Sequence, residues 1–225
     1  MRKVTNFTHG EYCRDFYYHR DGVFFSEMRK IIIVHGWAHG PHKDWLPWLR
    51  VKLEKKGYEV LVPDMPDPNL PIIEKWVGHL SDMMGTAGPD KDTYFIGHSV
   101  GCQTILRYLD VHHFGPLETV GGAVFVAGWF NLENLEDEET KTIAKPWLEI
   151  PINSAKIRTM LPKSTLIISD NDPYGAFEEN KQKFSEIGSK IVVLHDAGHI
   201  TFRDGFMELP QALSELENLQ KEEFL

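Results

Sequence analysis

The chain has 225 residues and a formal net charge of −9, from 33 acidic against 24 basic residues. Its 42% hydrophobic and 25% charged residues exclude disordered and fibrous classes, and the acidic balance argues against nucleic acid or an anionic membrane as the main partner. The two cysteines, Cys13 and Cys102, and the lack of a signal-peptide or membrane-spanning apolar run predict a cytoplasmic protein. These properties leave the oligomeric state open.

The first 27 residues differ from the rest, because their aromatic and histidine residues cluster without a helical period. We interpret residues 1–27 as an N-terminal extension and residues 28–225 as one domain. Within the extension, Asp21-Gly22 lies between two aromatic runs, a pattern typical of a β-hairpin turn. An upstream segment of unknown origin is the alternative.

From Ile31 onward, short apolar runs alternate with segments that carry apolar residues at helical spacing. This order is typical of βαβ units around a parallel sheet buried on both faces. The predicted strands are Ile31–His35, Tyr58–Pro63, Thr93–Gly97, Gly122–Ala127, Ser164–Ser169 and Ile191–His195. The predicted helices are Trp45–Lys56, Ile72–Met84, Val100–Val111, Ala176–Ile187 and Phe206–Leu219.

The stretch from Trp129 to Pro162 fits neither pattern, since it is acidic and interrupted by Pro146 and Pro151. We interpret it as a short cap insertion. Its shortness favours a small substrate site, with Trp129, Phe130 and Trp147 as candidate apolar walls beside Trp37. Ordinary core positions are the alternative for these aromatic residues.

The strongest chemical signal is Gly-His-Ser-Val-Gly at 97–101, between a predicted strand and a predicted helix. This is the context that G-x-S-x-G requires to present a nucleophilic serine above a sheet. The glycines allow a tight, crowded turn, and the helix N-terminus offers amide groups to an oxyanion. Ser99 is therefore the candidate nucleophile, with the Val100 amide as one oxyanion donor.

A serine hydroxyl needs a base that a third group positions. His199 follows the last predicted strand and is the candidate base, with His195 as the fallback. The acid is expected after the strand Ser164–Ser169, where Asp170 and Asp172 both occur. Either aspartate can instead bond to its own turn.

The second oxyanion donor is expected after the first strand, where Gly36 permits close approach of the chain to a substrate. The Trp37 amide is the candidate, and a tight turn with a packed tryptophan is the alternative.

The residues His35, His39, His42 and Asp44 invite a metal interpretation. Their spacing matches no known ligand motif, and Pro41 interrupts any helix that would align the first two. The two cysteines are too few for a structural zinc site, and no nucleotide-binding glycine motif occurs. The sequence therefore predicts no metal and no nucleotide cofactor.

From about Ile31 to the C-terminus the sequence resembles the small serine hydrolases typified by retinoblastoma-binding protein 9 and its bacterial relatives. The shared motifs are His-Gly-Trp at 35–37, Trp-Leu-Pro-Trp-Leu at 45–49, Asp-Met-Pro-Asp-Pro at 64–68, Gly-His-Ser at 97–99, Arg-Tyr at 107–108, Lys-Pro-Trp at 145–147, Asp-Asn-Asp-Pro at 170–173 and Gly-His at 198–199.

The resemblance implies a compact α/β-hydrolase fold, a triad of Ser99, Asp172 and His199, and no cofactor. It places the acid immediately before the proline, which favours Asp172 over Asp170. Activities attributed to the family include esterase and aminopeptidase-like hydrolysis of small substrates. The Leu-x-Cys-x-Glu motif for binding a pocket protein is absent. A catalytically silent binding module and an acyltransferase are the alternative functions.

Overall fold

The structure is a computed structural model that describes residues 29–112, 115, 119–135 and 137–221. The predicted extension 1–27 and its hairpin lie outside these residues. The order of elements follows the predicted βαβ alternation. The strands are β1 (Lys30–Val34), β2 (Glu59–Leu61), β3 (Thr93–His98), β4 (Gly122–Val126), β5 (Ser164–Ser169) and β6 (Lys190–Leu194). The helices are α1 (Leu46–Lys55), α2 (Ile73–Met84), α3 (Val100–Val111), α4 (Glu138–Glu149), α5 (Ser154–Met160), α6 (Phe177–Glu186) and α7 (Pro210–Lys221).

The six strands form one parallel sheet in the order β2-β1-β3-β4-β5-β6. Successive residues of a strand point to opposite faces, and both faces of this sheet are buried. Ile31 and Ile33 pack with α1 and α7 on one face, whereas Ile32 and Val34 pack with α2, α3 and α6 on the other. The fold is therefore the predicted mostly parallel sheet between two helical layers.

The insertion between β4 and β5 contains two helices that the sequence did not predict. Asp137 caps α4 by accepting a hydrogen bond from the Thr140 amide at 2.6 Å, and α4 continues through Pro146. Asn153 caps α5 in the same way, at 3.1 Å from the Lys156 amide. Two side-chain caps thus start helices where the acidic and proline residues suggested irregular chain.

The predicted helix Phe206–Leu219 is wrong at its start. Just before the predicted start, residues Phe202–Asp204 form a short 3₁₀ helix with a capping box at Thr201. Gly205 follows in the left-handed region, with φ 91°. The last helix begins at Pro210, a residue suited to the first turn because its missing N–H needs no partner there.

None of the helices among residues 29–112 and 119–221 combines the length and the apolar character that crossing a bilayer would require.

Candidate active site

Ser99 lies at a sharp turn between β3 and α3, at the carboxyl edge of the sheet. Its backbone has φ 53° and ψ −121°, a strained conformation for a residue with a side chain. The chain packs tightly here, because a β-carbon at Gly101 would lie 2.3 Å from the Val34 carbonyl oxygen. One at Gly97 would lie 2.8 Å from the Cys102 nitrogen. Side chains at 97 and 101 are therefore excluded, as the motif predicts.

Three predicted residues meet at this edge. His199 follows β6, and its Nε2 lies 3.0 Å from Ser99 Oγ. Asp172 follows β5, and its Oδ2 lies 2.7 Å from His199 Nδ1. The other carboxylate oxygen accepts the Tyr174 amide at 3.0 Å, so the Asp172 side chain is held at both ends.

These contacts set the protonation pattern of His199. Because the Asp172 carboxylate only accepts hydrogen bonds, Nδ1 of the imidazole carries the proton and Nε2 presents its lone pair to Ser99. The Asp172 side chain is 5% exposed, which protects its hydrogen bond from competing water. The Tyr174 ring packs edge-on against the imidazole, 5.3 Å between centroids. The arrangement can remove a proton from Ser99.

The fallback residues form a second, separate pair. His195 Nδ1 lies 2.5 Å from Asp170 Oδ2, and Asp170 Oδ1 accepts the Asp196 amide at 3.0 Å. The hydrogen bond and the charge of Asp170 raise the pKa of His195, and the same bond lowers the pKa of Asp170. The His195 side chain is 82% exposed, so this pair lies in solvent rather than against Ser99.

Ser99 and His199 open into a cavity of about 450 Å³. Its apolar and aromatic lining comes from several loops and from α4: Trp37, Ala38, Trp129, Leu132, Leu135, Ile143, Pro173 and Tyr174. The Trp129 indole N–H also points at Ser99 Oγ, at 3.4 Å. This contact, like the ring of Tyr174, was not predicted, although both residues adjoin predicted motifs.

Two of the aromatic residues predicted as walls belong to the core instead. Trp147 donates its indole N–H to the Pro71 carbonyl at 2.9 Å and packs against Trp76. Phe130 packs against Phe184. The helical insertion explains the difference, since α4 turns Trp147 inward and supplies the cavity with smaller side chains.

The predicted oxyanion positions flank Ser99. Gly36 and Trp37 line the cavity directly after β1, and the Trp37 indole is fixed by donating to the Asn69 carbonyl at 3.1 Å. Val100 is the first residue of α3. Its amide therefore has no carbonyl partner within the helix and lies at the positive end of the helix dipole.

The histidines around the first loop separate into different roles. Both ring nitrogens of His35 are already hydrogen-bonded, since Nδ1 donates to the Gly36 carbonyl at 2.8 Å and Nε2 accepts from the Met65 amide at 3.1 Å. His42 is exposed. His98 is 1% exposed and donates from Nε2 to the His199 carbonyl at 3.0 Å. Burial, and then the nearby His199, lower the pKa of His98 to about 3, so its ring is neutral.

The sheet, the strained serine turn and the cavity at the carboxyl edge define an α/β-hydrolase. The family model described as serine hydrolase matches residues 31–218. The chain belongs to this family, and it is a hydrolase.

Known relatives agree with this assignment. The chain is 29% identical to the putative hydrolase YdeN of Bacillus subtilis over 183 residues, which cover 81% of this chain and 91% of that protein. It is 26% identical to the serine hydrolase RBBP9 of Rattus norvegicus over 173 residues, covering 76% and 86% of the two chains. The crystal structure of the B. subtilis ydeN product superposes with a TM-score of 0.77 at 25% identity, over 86% of this chain and all of the other. An esterase, RhEst1 from Rhodococcus sp. ECU1013, shares the fold with a TM-score of 0.62 at 15% identity, over 88% and 94%.

Proposed function

We propose that this hydrolase cleaves small ester or amide substrates through an acyl-enzyme on Ser99, with residues 28–225 as the catalytic domain. The observation that carries the proposal is the hydrogen-bonded series from Ser99 through His199 to Asp172, 3.0 Å and 2.7 Å long, at the base of a cavity. A silent binding module does not require a nucleophile, a base and an acid in contact.

In the proposed reaction, His199 Nε2 takes the Ser99 proton as the oxygen attacks the acyl carbon. The imidazolium then gives this proton to the leaving alcohol or amine, and a water molecule repeats the sequence to release the acid. Asp172 keeps His199 in the required tautomer and stabilises its positive charge. The reaction uses no cofactor.

The oxyanion of the tetrahedral intermediate needs two amide donors close to Ser99. We assign this role to the backbone N–H groups of Trp37 and Val100. The Val100 amide has the advantage of the helix N-terminus, and Trp37 lies on the loop that borders the serine across Gly36. Removal of one such donor typically costs about 10² to 10³ in kcat.

The substrate class that the cavity favours is small: a carboxylester or an aminoacyl derivative. A volume of about 450 Å³ is near the lower end of ligand pockets. Rigid aromatic side chains, Trp37, Trp129 and Tyr174, form part of its wall. Water and an alcohol or amine compete as acyl acceptors, and hydrolysis is the reaction we assign.

The decisive experiment is labelling with a fluorophosphonate probe, which reacts with activated serines. Wild-type protein is expected to gain one adduct by intact mass, and Ser99→Ala is expected to gain none and to lose roughly 10⁴ to 10⁶ in kcat on the best acyl ester. Ser81→Ala, on the exposed surface of α2, is the matched control and is expected to keep both the probe adduct and the wild-type kcat. Labelling of Ser99→Ala at the wild-type rate, or an unlabelled wild type, overturns the proposal.

A further inference from the structure

Three potential ligand atoms converge beside the candidate active site. One ring nitrogen each of His39 and His98 and one carboxylate oxygen of Asp44 all lie within 4.8 Å of one another. His39 and Asp44 belong to the loop after β1, whereas His98 ends β3. We propose that these residues form a binding site for a single divalent transition-metal ion of the Zn²⁺ type, although the sequence alone predicted none.

The cluster lacks the hydrogen bonds that buried polar atoms normally make. Among the described residues, His98 Nδ1 has no hydrogen-bond partner, and Asp44 Oδ2 and His39 Nδ1 have only each other, as an ion pair at 2.5 Å. The Asp44 side chain is fully buried, whereas its partner His39 is partly exposed. A buried unpaired polar group costs about 1–3 kcal/mol, more when it is charged. A cation bound to His98 Nδ1 would remove the cost of this unpaired nitrogen, and it would take the buried Asp44 carboxylate as a second ligand.

The outward-facing atoms of two ligands already make the contacts typical of metal ligands. His98 donates from Nε2 to the His199 carbonyl at 3.0 Å, which leaves the lone pair of its neutral ring on Nδ1. Asp44 Oδ1 accepts the Phe202 amide at 2.8 Å, which leaves Oδ2 for the ion. A ligating histidine usually donates its other N–H to a carbonyl or carboxylate in this way.

The approach to the cluster is from the cavity and not from Gly36, because the chain at Gly36 is so close that a β-carbon there would lie 2.8 Å from His98 Nδ1. His39 and His98 also line the cavity that contains Ser99. An ion therefore has an entry path, and a solvent molecule in the cavity can complete a fourth position.

The donor set selects the ion. Two imidazole nitrogens and one carboxylate are ligands that Zn²⁺ accepts, whereas Mg²⁺ and Ca²⁺ prefer oxygen alone. Ligands about 2.0–2.2 Å from a tetrahedral ion lie roughly 3.3 Å apart. The three atoms all lie within 4.8 Å of one another, and rotation of the partly exposed His39 ring can adjust the two distances that involve its nitrogen.

A bound ion would connect the loop after β1 to the end of β3. Because His98 and Asp44 also hydrogen-bond to the His199 carbonyl and the Phe202 amide, the ion would hold the chain on either side of Ile200 as well. The site does not depend on the proposed acyl chemistry, since none of its ligands bonds to Ser99 Oγ or to the His199 ring nitrogens. Its predicted effect is stabilisation of the loops that surround the cavity.

The test measures metal binding directly. The full chain is stripped with a chelator, exchanged into buffer and titrated with Zn²⁺ by calorimetry, with Co²⁺ absorption as a second readout of tetrahedral nitrogen and oxygen ligation. His39→Gln and Asp44→Asn are expected to weaken the tightest site by more than about 100-fold, beyond the 10–100-fold typical of losing an outer hydrogen bond. His42→Gln, an exposed histidine on the same loop, keeps wild-type affinity.

Two features of the design keep the result decisive. Asparagine at 44 retains the oxygen that accepts the Phe202 amide and tolerates the positive φ of 53°. If Asp44→Asn fails to fold, His39→Gln decides, because the described structure gives this partly exposed ring no other hydrogen bond. Absence of Zn²⁺ binding to the wild type, or equal binding by His39→Gln and His42→Gln, overturns the proposal.

Discussion

The two aspartate–histidine pairs provide an internally controlled test of the proposed acid. Asp172 and Asp170 are two residues apart, each contacts a histidine with Oδ2, and each accepts a backbone amide with Oδ1. They differ in position, since only the His199 pair reaches Ser99. Replacing each carboxylate with the isosteric amide therefore separates the catalytic contact from the local turn structure.

Asp172→Asn is expected to lower kcat by about 10⁴, which corresponds to about 5 kcal/mol of transition-state stabilisation. The Asn oxygen can keep the Tyr174 amide bond, and this places its NH₂ group against His199 Nδ1. Because that group donates, Nδ1 must become the acceptor and the proton moves to Nε2. An Nε2–H cannot accept the proton of Ser99, and the new Asn dipole does not stabilise an imidazolium.

Asp170→Asn is expected to leave kcat within about twofold, because its partner His195 is largely exposed and neither residue lines the cavity. The assay is kcat for a short p-nitrophenyl ester at pH 8, with thermal melting to show that both variants fold. Retention of more than a tenth of the wild-type kcat by Asp172→Asn, or an equal loss in Asp170→Asn, would refute the assignment.

Three further predictions concern the cavity, the exposed pair and the serine turn. Across p-nitrophenyl esters from acetyl to palmitoyl, kcat/KM should rise by up to about fourfold for each methylene that the cavity accommodates, at ~0.8 kcal/mol each. It should fall for acyl chains longer than octanoyl at the latest. A rise that continues beyond octanoyl would indicate an open groove. The pKa of His195, measured by NMR, should lie above 6.5 and return towards 6.5 in Asp170→Asn. The stabilisation that the pair gives the folded state is then complete below pH 6.5 and is lost as the pH rises through the raised pKa. A pKa that does not change in Asp170→Asn would contradict the contact. Gly101→Ala should lower the free energy of unfolding, measured by denaturant titration, by about 3 kcal/mol. Gly78→Ala, whose added carbon meets nothing within 4 Å, should instead raise it by about 0.5–1 kcal/mol. Equal effects of the two substitutions would show that the serine turn is not crowded.

The four central strands, β1, β3, β4 and β5, could be predicted because each is a short apolar run buried on both faces. Ser164–Ser169 agrees at both ends, and Thr93–Gly97 differs by one residue. The helix α4 was missed because Pro146 normally ends a helix, and the cap that starts α4 depends on one contact of Asp137. The spacing of apolar residues therefore predicts a helix less well where a single capping hydrogen bond decides at which residue the helix begins.

The candidate site was predictable to the extent that chain order and strand ends carry its geometry. Ser99 and His199 follow from the motif and from the last strand, but nothing local separated Asp172 from Asp170, and the family resemblance made that choice. The cluster around His98 was not predicted because its members come from two distant segments, the loop after β1 and the end of β3. The sequence drew attention to the histidines near His39, and their partner in space lies 59 positions away.

The position of β6 at the edge of the sheet has a consequence for inactivation. Among the described residues this strand pairs only with β5, and none of its own residues is fully buried. The loop that carries His199 follows directly from it. Partial opening of an edge strand requires less free energy than unfolding of the central strands. On heating, activity should therefore disappear reversibly at temperatures where tryptophan fluorescence still reports an intact interior, and amide exchange along 190–194 should be faster than along 93–98.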